Sequence, residues 1–235
     1  MERGDQTERR RVVPRPPITR AGLAAQELRR MIVLGELRAG TRLRQAETAA
    51  LLGTSTTPVR EAFATLAREG LIRHDAHRGA VVTSPTLTDL HENYDILLLL
   101  EPRAAELATA RLGATELEDL ERVAAELNAT PSRAIRRRVE LNAEFHRRIY
   151  ETCGRPRLIE MVAGLRETLS RYVALAISDA SAELRRMEKT EHRQILEALR
   201  SGDGPGASAA MELHLRRGVA LIAGLVGDGD GTPAG

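Results

Sequence analysis

The apolar residues near the start of the chain recur at the spacing of an α-helix. Beginning after Thr19, one face of the predicted helix carries four apolar residues, namely Leu23, Leu28, Met31 and Ile32. The hydroxyl of Thr19 can accept a hydrogen bond from a free backbone N–H of the first turn, and Gly35 is a typical stop signal. The pattern therefore predicts a first helix between Thr19 and Gly35.

The next apolar positions predict two short helices around a tight turn. The first helix is predicted to pack through Ala49, Leu51 and Leu52, and Gly53 suits the turn. The second helix begins near Thr57 and Pro58 and ends at Gly70, since proline is tolerated in a first turn. Its buried stripe is predicted to consist of Val59, Phe63 and Leu66.

The pattern changes to alternation after Gly70. Segments Leu71–Arg73 and Ala80–Thr83 read as two short strands around a turn. Three helices followed by a β-hairpin make a winged helix-turn-helix, so we expect a DNA-binding domain over residues 18–84. Residues 1–17 lack apolar periodicity and are expected to form a flexible arm.

Only helical periodicity follows Pro85. The predicted helices are separated by turn-forming clusters, and they lie near 86–111, 115–128, 132–152, 156–178, 181–201 and 206–226. The fold class is therefore mainly α, with a winged helix-turn-helix followed by an all-α helical bundle. We expect the bundle to be the second domain, over residues 86–226, and residues 227–235 to be a disordered tail.

Charge divides the chain at the same place. Residues 1–85 contain fifteen arginines and nine acidic residues, a net charge of +6, whereas residues 86–235 have a net charge of −4. A basic front domain favours a polyanionic partner, because arginine neutralises phosphates and releases their counterions. The single cysteine, Cys153, and the absence of an apolar leader or membrane-length segment predict a cytoplasmic protein.

The predicted DNA-reading residues lie at the start of the second helix of the helix-turn-helix. There the side chains of Ser55, Thr56, Thr57 and Arg60 would reach the major groove, and Arg60 can form a bidentate pair with guanine. At the hairpin tip, His77, Arg78 and Gly79 would reach the backbone or minor groove. The alternative is structural: Ser55 and Thr57 cap the helix, and Arg60 pairs with Glu61 or Glu36.

The ordered motifs LGTSTTPVREAF, EGLI and RGAVV resemble the winged helix of the GntR superfamily over residues 18–84. The resemblance implies that Thr57, Arg60 and Gly79 match positions used for DNA contact. Two positions differ from the family pattern. Thr56 stands where the family usually has an arginine that helps to read the operator, and Thr48 replaces a usual leucine.

Histidines in the second domain suggest a metal site. Asn142 and His146 lie four residues apart and share one helix face, and His192 and His214 lie on later helices. Three imidazoles and one oxygen suit a divalent transition metal such as Zn²⁺ or Ni²⁺, with positions left open for water or an organic acid. The alternative is that each histidine is a hydrogen-bonded core or boundary residue.

Residues 86–226 resemble the FCD ligand-binding domain of the FadR-type branch of GntR regulators. Metal-binding members have a D-x-x-x-H motif and two later histidines, and this resemblance implies that Asn142, His146, His192 and His214 are the ligands. Asn142 replaces the usual aspartate, which predicts weaker metal binding and a more positive bound ion. Leu97 stands where the family often has a pocket arginine.

Several side chains in the second domain remain alternatives for binding an effector. Three arginines are candidates to replace the missing one, and each is alternatively a solvated surface charge: Arg103, Arg166 and Arg171. The tyrosines are either pocket or packing residues, and they are Tyr94, Tyr150 and Tyr172.

The resulting prediction is a homodimeric transcription regulator, a repressor or an activator, that binds a double-stranded DNA operator. A small carboxylate-like effector bound near the metal would control its operator affinity. Two other functions stay open at this point. One is a metal-dependent hydrolytic enzyme, although Glu144 lies on a different helix face from the proposed ligands. The other is an architectural DNA-binding protein that has no effector.

Overall fold

The computed structural model describes residues 19–75, 79–84, 86–179 and 182–227. These residues form nine helices and three strands: α1 (Arg20–Val33), β1 (Arg42–Leu43), α2 (Gln45–Leu51), α3 (Thr56–Arg68), β2 (Ile72–Asp75), β3 (Gly79–Val82), α4 (Leu87–Thr109), α5 (Ala114–Ala129), α6 (Ile135–Thr152), α7 (Pro156–Asp179), α8 (Ala182–Ser201) and α9 (Gly204–Gly227). The predicted arm, the hairpin-tip residues His77 and Arg78, and the predicted tail beyond residue 227 lie outside the described residues.

Helix α1 begins as its sequence predicts. The hydroxyl of Thr19 accepts a hydrogen bond from the backbone N–H of Gly22 at 3.0 Å. Leu28 and Ile32 are buried, but Leu23 is 53% exposed. The expectation that Leu23 shares the buried face is wrong, because five residues place it about 140° around the helix from Leu28.

Helices α2 and α3 form the predicted helix-turn-helix. Gly53 joins them with a φ of 62°, which favours glycine. The predicted stripe of α3 is buried, and it consists of Val59, Phe63 and Leu66. Leu51, in contrast, is 61% exposed. The buried side of α2 is formed by Thr48 and Ala49, so the expectation that Leu51 packs the helix is wrong.

The sheet has three strands in the order β1-β3-β2, with both pairings antiparallel. The hairpin of β2 and β3 confirms the predicted wing, although β2 begins one residue later and extends to Asp75. Strand β1 was not predicted. Its two residues are too few to show the alternation that identifies a strand, and it forms because Arg42 and Leu43 pair with Val81 and Ala80.

The remaining helices form the predicted bundle. Their bounds agree with the predicted bounds to within three residues. Helix α4 lies in the middle, where it packs against α6, α7, α8 and α9. Within the described ranges, no helix is long and apolar enough to cross a membrane.

Polar contacts connect the winged helix to helix α7 of the bundle. Arg29 of α1 pairs with Glu69 at 2.6 Å and lies 3.7 Å from Glu167 of α7. Nearby, Arg171 donates to the hydroxyl of Thr83 at 2.7 Å. These contacts hold the winged helix directly against α7, which itself packs on α4 and α6 of the bundle.

A test of the wing compares two glycines. A Cβ on Gly79, whose φ is 102°, would lie 2.2 Å from the carbonyl oxygen of Leu43, whereas a Cβ on Gly53 would meet nothing within 4 Å. We expect Gly79→Ala to lower the free energy of unfolding by about 3 kcal/mol and Gly53→Ala by about 1 kcal/mol. Urea unfolding of both full-length variants measures this, and equal losses would contradict the role of close strand approach.

Candidate DNA-reading surface and metal centre

The predicted DNA-reading side chains lie together at the exposed start of α3. Ser55 is the N-cap residue and makes no capping hydrogen bond with its side chain. All four side chains are exposed, namely Ser55, Thr56, Thr57 and Arg60. Exposed hydroxyls and a guanidinium at the start of a recognition helix are suited to contact phosphates and base edges.

The alternative that Arg60 forms an ion pair with Glu36 or Glu61 does not agree with the structure. Glu36 pairs with Arg30 at 2.6 Å. Within the part of the chain that the structure describes, Arg60 makes no ion pair. Gly79 begins β3 and lies against β1, so its lack of a side chain is required by the sheet itself. Arg78 was also predicted to contact DNA, and it lies outside the described residues.

Three helices bring the predicted histidines together. His146 lies on α6, His192 on α8 and His214 on α9, and one nitrogen of each lies within 4.8 Å of the other two. His146 and His192 are buried, and the side chain of His214 is 13% exposed. Asn142 is buried one turn before His146, on the same face of α6.

Two of the imidazoles have a carboxylate behind them. Nδ1 of His146 lies 2.8 Å from Glu101, and Nδ1 of His214 lies 2.9 Å from Glu191. A carboxylate accepts, so we assign to each ring the tautomer that has its proton on Nδ1 and a free lone pair on Nε2. NH2 of Arg166 donates to Glu101 at 2.6 Å and also lies 2.6 Å from Nδ1 of His146.

The distance between two of these Nε2 atoms agrees with a shared metal ion. Nε2 of His146 and Nε2 of His214 face each other at 3.2 Å. Two nitrogens bound tetrahedrally to one Zn²⁺ at about 2.0–2.1 Å lie about 3.3 Å apart. Oδ1 of Asn142 and Nε2 of His192 are buried and have no hydrogen-bond partner among the described residues.

The pKa values of two histidines also support a metal site. Burial, followed by the positive charge of Arg166, holds the pKa of His146 well below its usual value. Burial also holds the pKa of His192 well below its usual value. Both rings are therefore neutral near pH 7, which is the form that binds a metal.

Glu101 and Arg166 form an ion pair that sequence reasoning missed. The carboxylate is fully buried and accepts from Nε and NH2 of Arg166 at 2.8 and 2.6 Å. Burial raises the pKa of Glu101, and Arg166 opposes that effect. One feature of the sequence could have indicated this pair: Glu101 directly follows the apolar run of residues 96–100. A carboxylate that is buried with such a run needs a positively charged partner.

The other predicted arginines lie elsewhere. Arg103 is 55% exposed and pairs with Glu106, and Arg171 contacts Thr83 at the domain boundary. Leu97 is buried in the core, so the position of the family's usual pocket arginine is apolar here. Of the three candidates, Arg166 therefore reaches the histidine cluster.

A cavity of about 120 Å³ opens beside the histidines. One side of it is polar and includes Asn142, His146 and Arg166, while the other side is apolar: Val173, Ile177, Leu215, Leu221 and Ile222. Tyr94 also lines the cavity, and burial raises its pKa to about 12. Tyr150 and Tyr172 do not line it. A cavity of roughly 150 Å³ holds benzene in an engineered protein, so this one is of similar size.

A winged helix joined to a helical bundle with this site defines a DNA-binding transcriptional regulator. The family model of bacterial regulatory proteins of the gntR family matches residues 21–82, and the FCD domain model matches residues 92–217. The chain belongs to the GntR family and carries a C-terminal FCD domain, as the sequence motifs predict.

Individual relatives agree with this assignment. A probable D-xylose utilization operon transcriptional repressor of Paenarthrobacter nicotinovorans is 31% identical over 84% of this chain and 88% of that protein. The HTH-type transcriptional regulator YdhC of Bacillus subtilis is 34% identical over 51% of this chain, and the match spans 54% of that regulator. These relatives are transcriptional regulators and not enzymes.

Solved structures show the same fold. E. coli McbR/YncC superimposes with a TM-score of 0.78 at 24% identity, over 87% of this chain and 97% of that chain. This likeness supports the architecture of a winged helix followed by a helical bundle.

The buried ion pair can be tested by a double-mutant cycle. We expect Glu101→Gln to lower the free energy of unfolding by about 3–5 kcal/mol, because it leaves Arg166 without a counter-charge. Combining Glu101→Gln with Arg166→Met should cost much less than the sum of the single changes. Glu106→Gln, which breaks the surface pair with Arg103, is the control and should cost under about 1 kcal/mol. Strictly additive losses in urea unfolding would contradict the coupling.

Proposed function

We propose that this chain is a dimeric repressor whose affinity for its operator is controlled by a small organic acid bound at a divalent transition metal. Residues 18–84 would bind DNA and residues 86–226 would bind the metal and effector. The observation that carries the metal is the close approach of one nitrogen each of His146, His192 and His214, with Asn142 buried one turn from His146. Oδ1 of Asn142 and Nε2 of His192 are buried and have no hydrogen-bond partner among the described residues.

Zn²⁺ or Ni²⁺ suits this donor set, because imidazole is a good ligand for both ions. A bound ion would act as a positive centre that attracts the carboxylate of an effector. Asn142 contributes a neutral oxygen, so the four protein ligands leave the full positive charge of the ion uncompensated. We infer that this arrangement favours an anionic effector more strongly than an aspartate at the same position would.

Arg166 is our candidate for positioning the effector. It lines the cavity next to the histidines, and its side chain is 14% exposed. Its Nε and NH2 groups face Glu101, and among the described residues NH1 has no hydrogen-bond partner. NH1 would therefore donate to an effector carboxylate, replacing the arginine that Leu97 excludes, while the apolar wall would contact the rest of the effector.

For DNA binding, we propose that Ser55, Thr56, Thr57 and Arg60 contact the operator, together with Arg78 and Gly79 of the wing. Arg60 would specify a guanine, and Thr56 would contact phosphate or a thymine methyl in place of the family's arginine. Two heads are required for a symmetric operator. Ile96 and Leu99 support a dimer, since these neighbours on α4 are 46% and 76% exposed.

The metal proposal predicts an ordering of variants. Full-length protein should hold one equivalent of Zn²⁺ or Ni²⁺ per chain, and His146→Ala should lose it. Asn142→Asp should bind the metal at least about tenfold more tightly, because it adds a negative ligand. Elemental analysis and competition with a chelator measure both effects.

The matched control is Asn128→Asp on the exposed face of α5, which should leave metal affinity unchanged. Absence of stoichiometric metal from both the unmodified protein and Asn142→Asp would reject the metal. DNA binding by such a metal-free protein would leave the regulator assignment intact.

The DNA proposal predicts a difference between two arginines on one helix. An operator is first selected from random duplexes by the full-length protein. Arg60→Gln should then weaken binding by about 1–3 kcal/mol and relax preference at one base pair. Arg68→Gln, at the exposed far end of α3, should change affinity little. Equal losses for both variants at controlled salt would mean that Arg60 does not read a base.

A further inference from the structure

A second cleft lies between the DNA-binding head and the helical bundle. It has a volume of about 350 Å³ and shares no lining residue with the cavity at the histidines. Its walls are mostly apolar and come from both domains, and they include Ile32, Leu37, Val82, Ile135 and Ala174. Two arginines also line it, namely Arg171 of α7, which is buried, and Arg38, which is exposed.

Among the described residues, Arg171 is buried without a counter-charge. It is 5% exposed, and its NH1 group donates to the hydroxyl of Thr83 at 2.7 Å. Within the same ranges, Nε of Arg171 has no hydrogen-bond partner and no carboxylate pairs with the guanidinium. The guanidinium carbon also lies 5.1 Å from the ring centre of Tyr172. Neutral contacts of this kind do not offset the cost of removing a full charge from water.

A comparison within the same domain shows what is missing. Arg138 is also buried and also has an unpartnered Nε, but its NH2 group pairs with Glu188 at 3.2 Å and its NH1 group contacts two backbone carbonyls. In the part of the chain that the structure describes, no carboxylate lines the cleft around Arg171, and the other charged lining residue, Arg38, is exposed and positive. The charge around Arg171 is therefore complementary to an anion.

We propose that this cleft binds a carboxylate with a short apolar chain, at a site separate from the metal-centred cavity. The carboxylate would pair with Arg171, and the chain would pack on the apolar walls from both domains. The walls favour such a molecule over inorganic phosphate, which would lose its hydration without gaining a matching number of donors. Because the ligand touches both β3 and α7, it stabilises the described arrangement of the two domains.

The test is calorimetric titration of full-length, metal-stripped protein with hexanoate. Stripping the metal removes its contribution to binding in the other cavity. We expect saturable binding of hexanoate, with much weaker binding of hexanol and of inorganic phosphate. Arg171→Gln should weaken hexanoate binding at least about tenfold, because it removes the charge from the pair.

Two further variants keep the test decisive. Arg103→Gln makes the same change at an exposed arginine of α4 and should leave hexanoate binding unchanged. Ala39→Leu narrows the cleft at an exposed lining position, so it should weaken binding several-fold while Arg171 stays in place. Circular dichroism checks that each variant is folded.

Several results would overturn the proposal. These are no binding of hexanoate, equal binding of hexanol or phosphate, or unchanged binding in both Arg171→Gln and Ala39→Leu. None of these results would bear on the metal proposal, which is measured by metal content.

Discussion

The buried carboxylate of Glu101 links three helices of the second domain. It extends from α4, accepts from Arg166 of α7 and faces Nδ1 of His146 on α6. A charge at 0% exposure is tolerated only with such partners, so the ion pair and the orientation of the imidazole depend on each other. The direction of His146 Nε2 toward His214 is one result. The position of Arg166 at the cavity is another.

Much of the fold follows from local sequence patterns. Long helices repeat their apolar positions over several turns, so errors at single residues average out and the predicted bounds lie close to the observed ones. Short elements lack that redundancy. Leu51 lies in a seven-residue helix, where one misplaced apolar residue changes the inferred face, and β1 has too few residues to show a period.

The four candidate metal ligands were predicted from the sequence, but the ion pair beside them was not. The spacing of Asn142 and His146 indicates one shared helix face. His192 and His214 were predicted as further ligands from their positions on later helices, and the family resemblance implied the same set. No local pattern could pair Glu101 with Arg166, because they are 65 residues apart and meet only when α4 packs on α7. Arg166 was readable as a surface charge because only its neighbours along the chain are visible in the sequence. Its partner Glu101 is a neighbour only in the folded structure.

Helix α7 carries residues of two surfaces within two turns. Arg166 lines the cavity at the histidines, whereas Glu167 and Arg171 contact the DNA-binding head. A rotation or shift of this helix cannot alter one surface without the other, since a helix moves as a nearly rigid rod. On the proposed function, substitutions that adapt the cavity to a new effector would therefore also change operator affinity in the absence of ligand. Effector specificity and the affinity of the ligand-free protein for DNA would then have to be selected together.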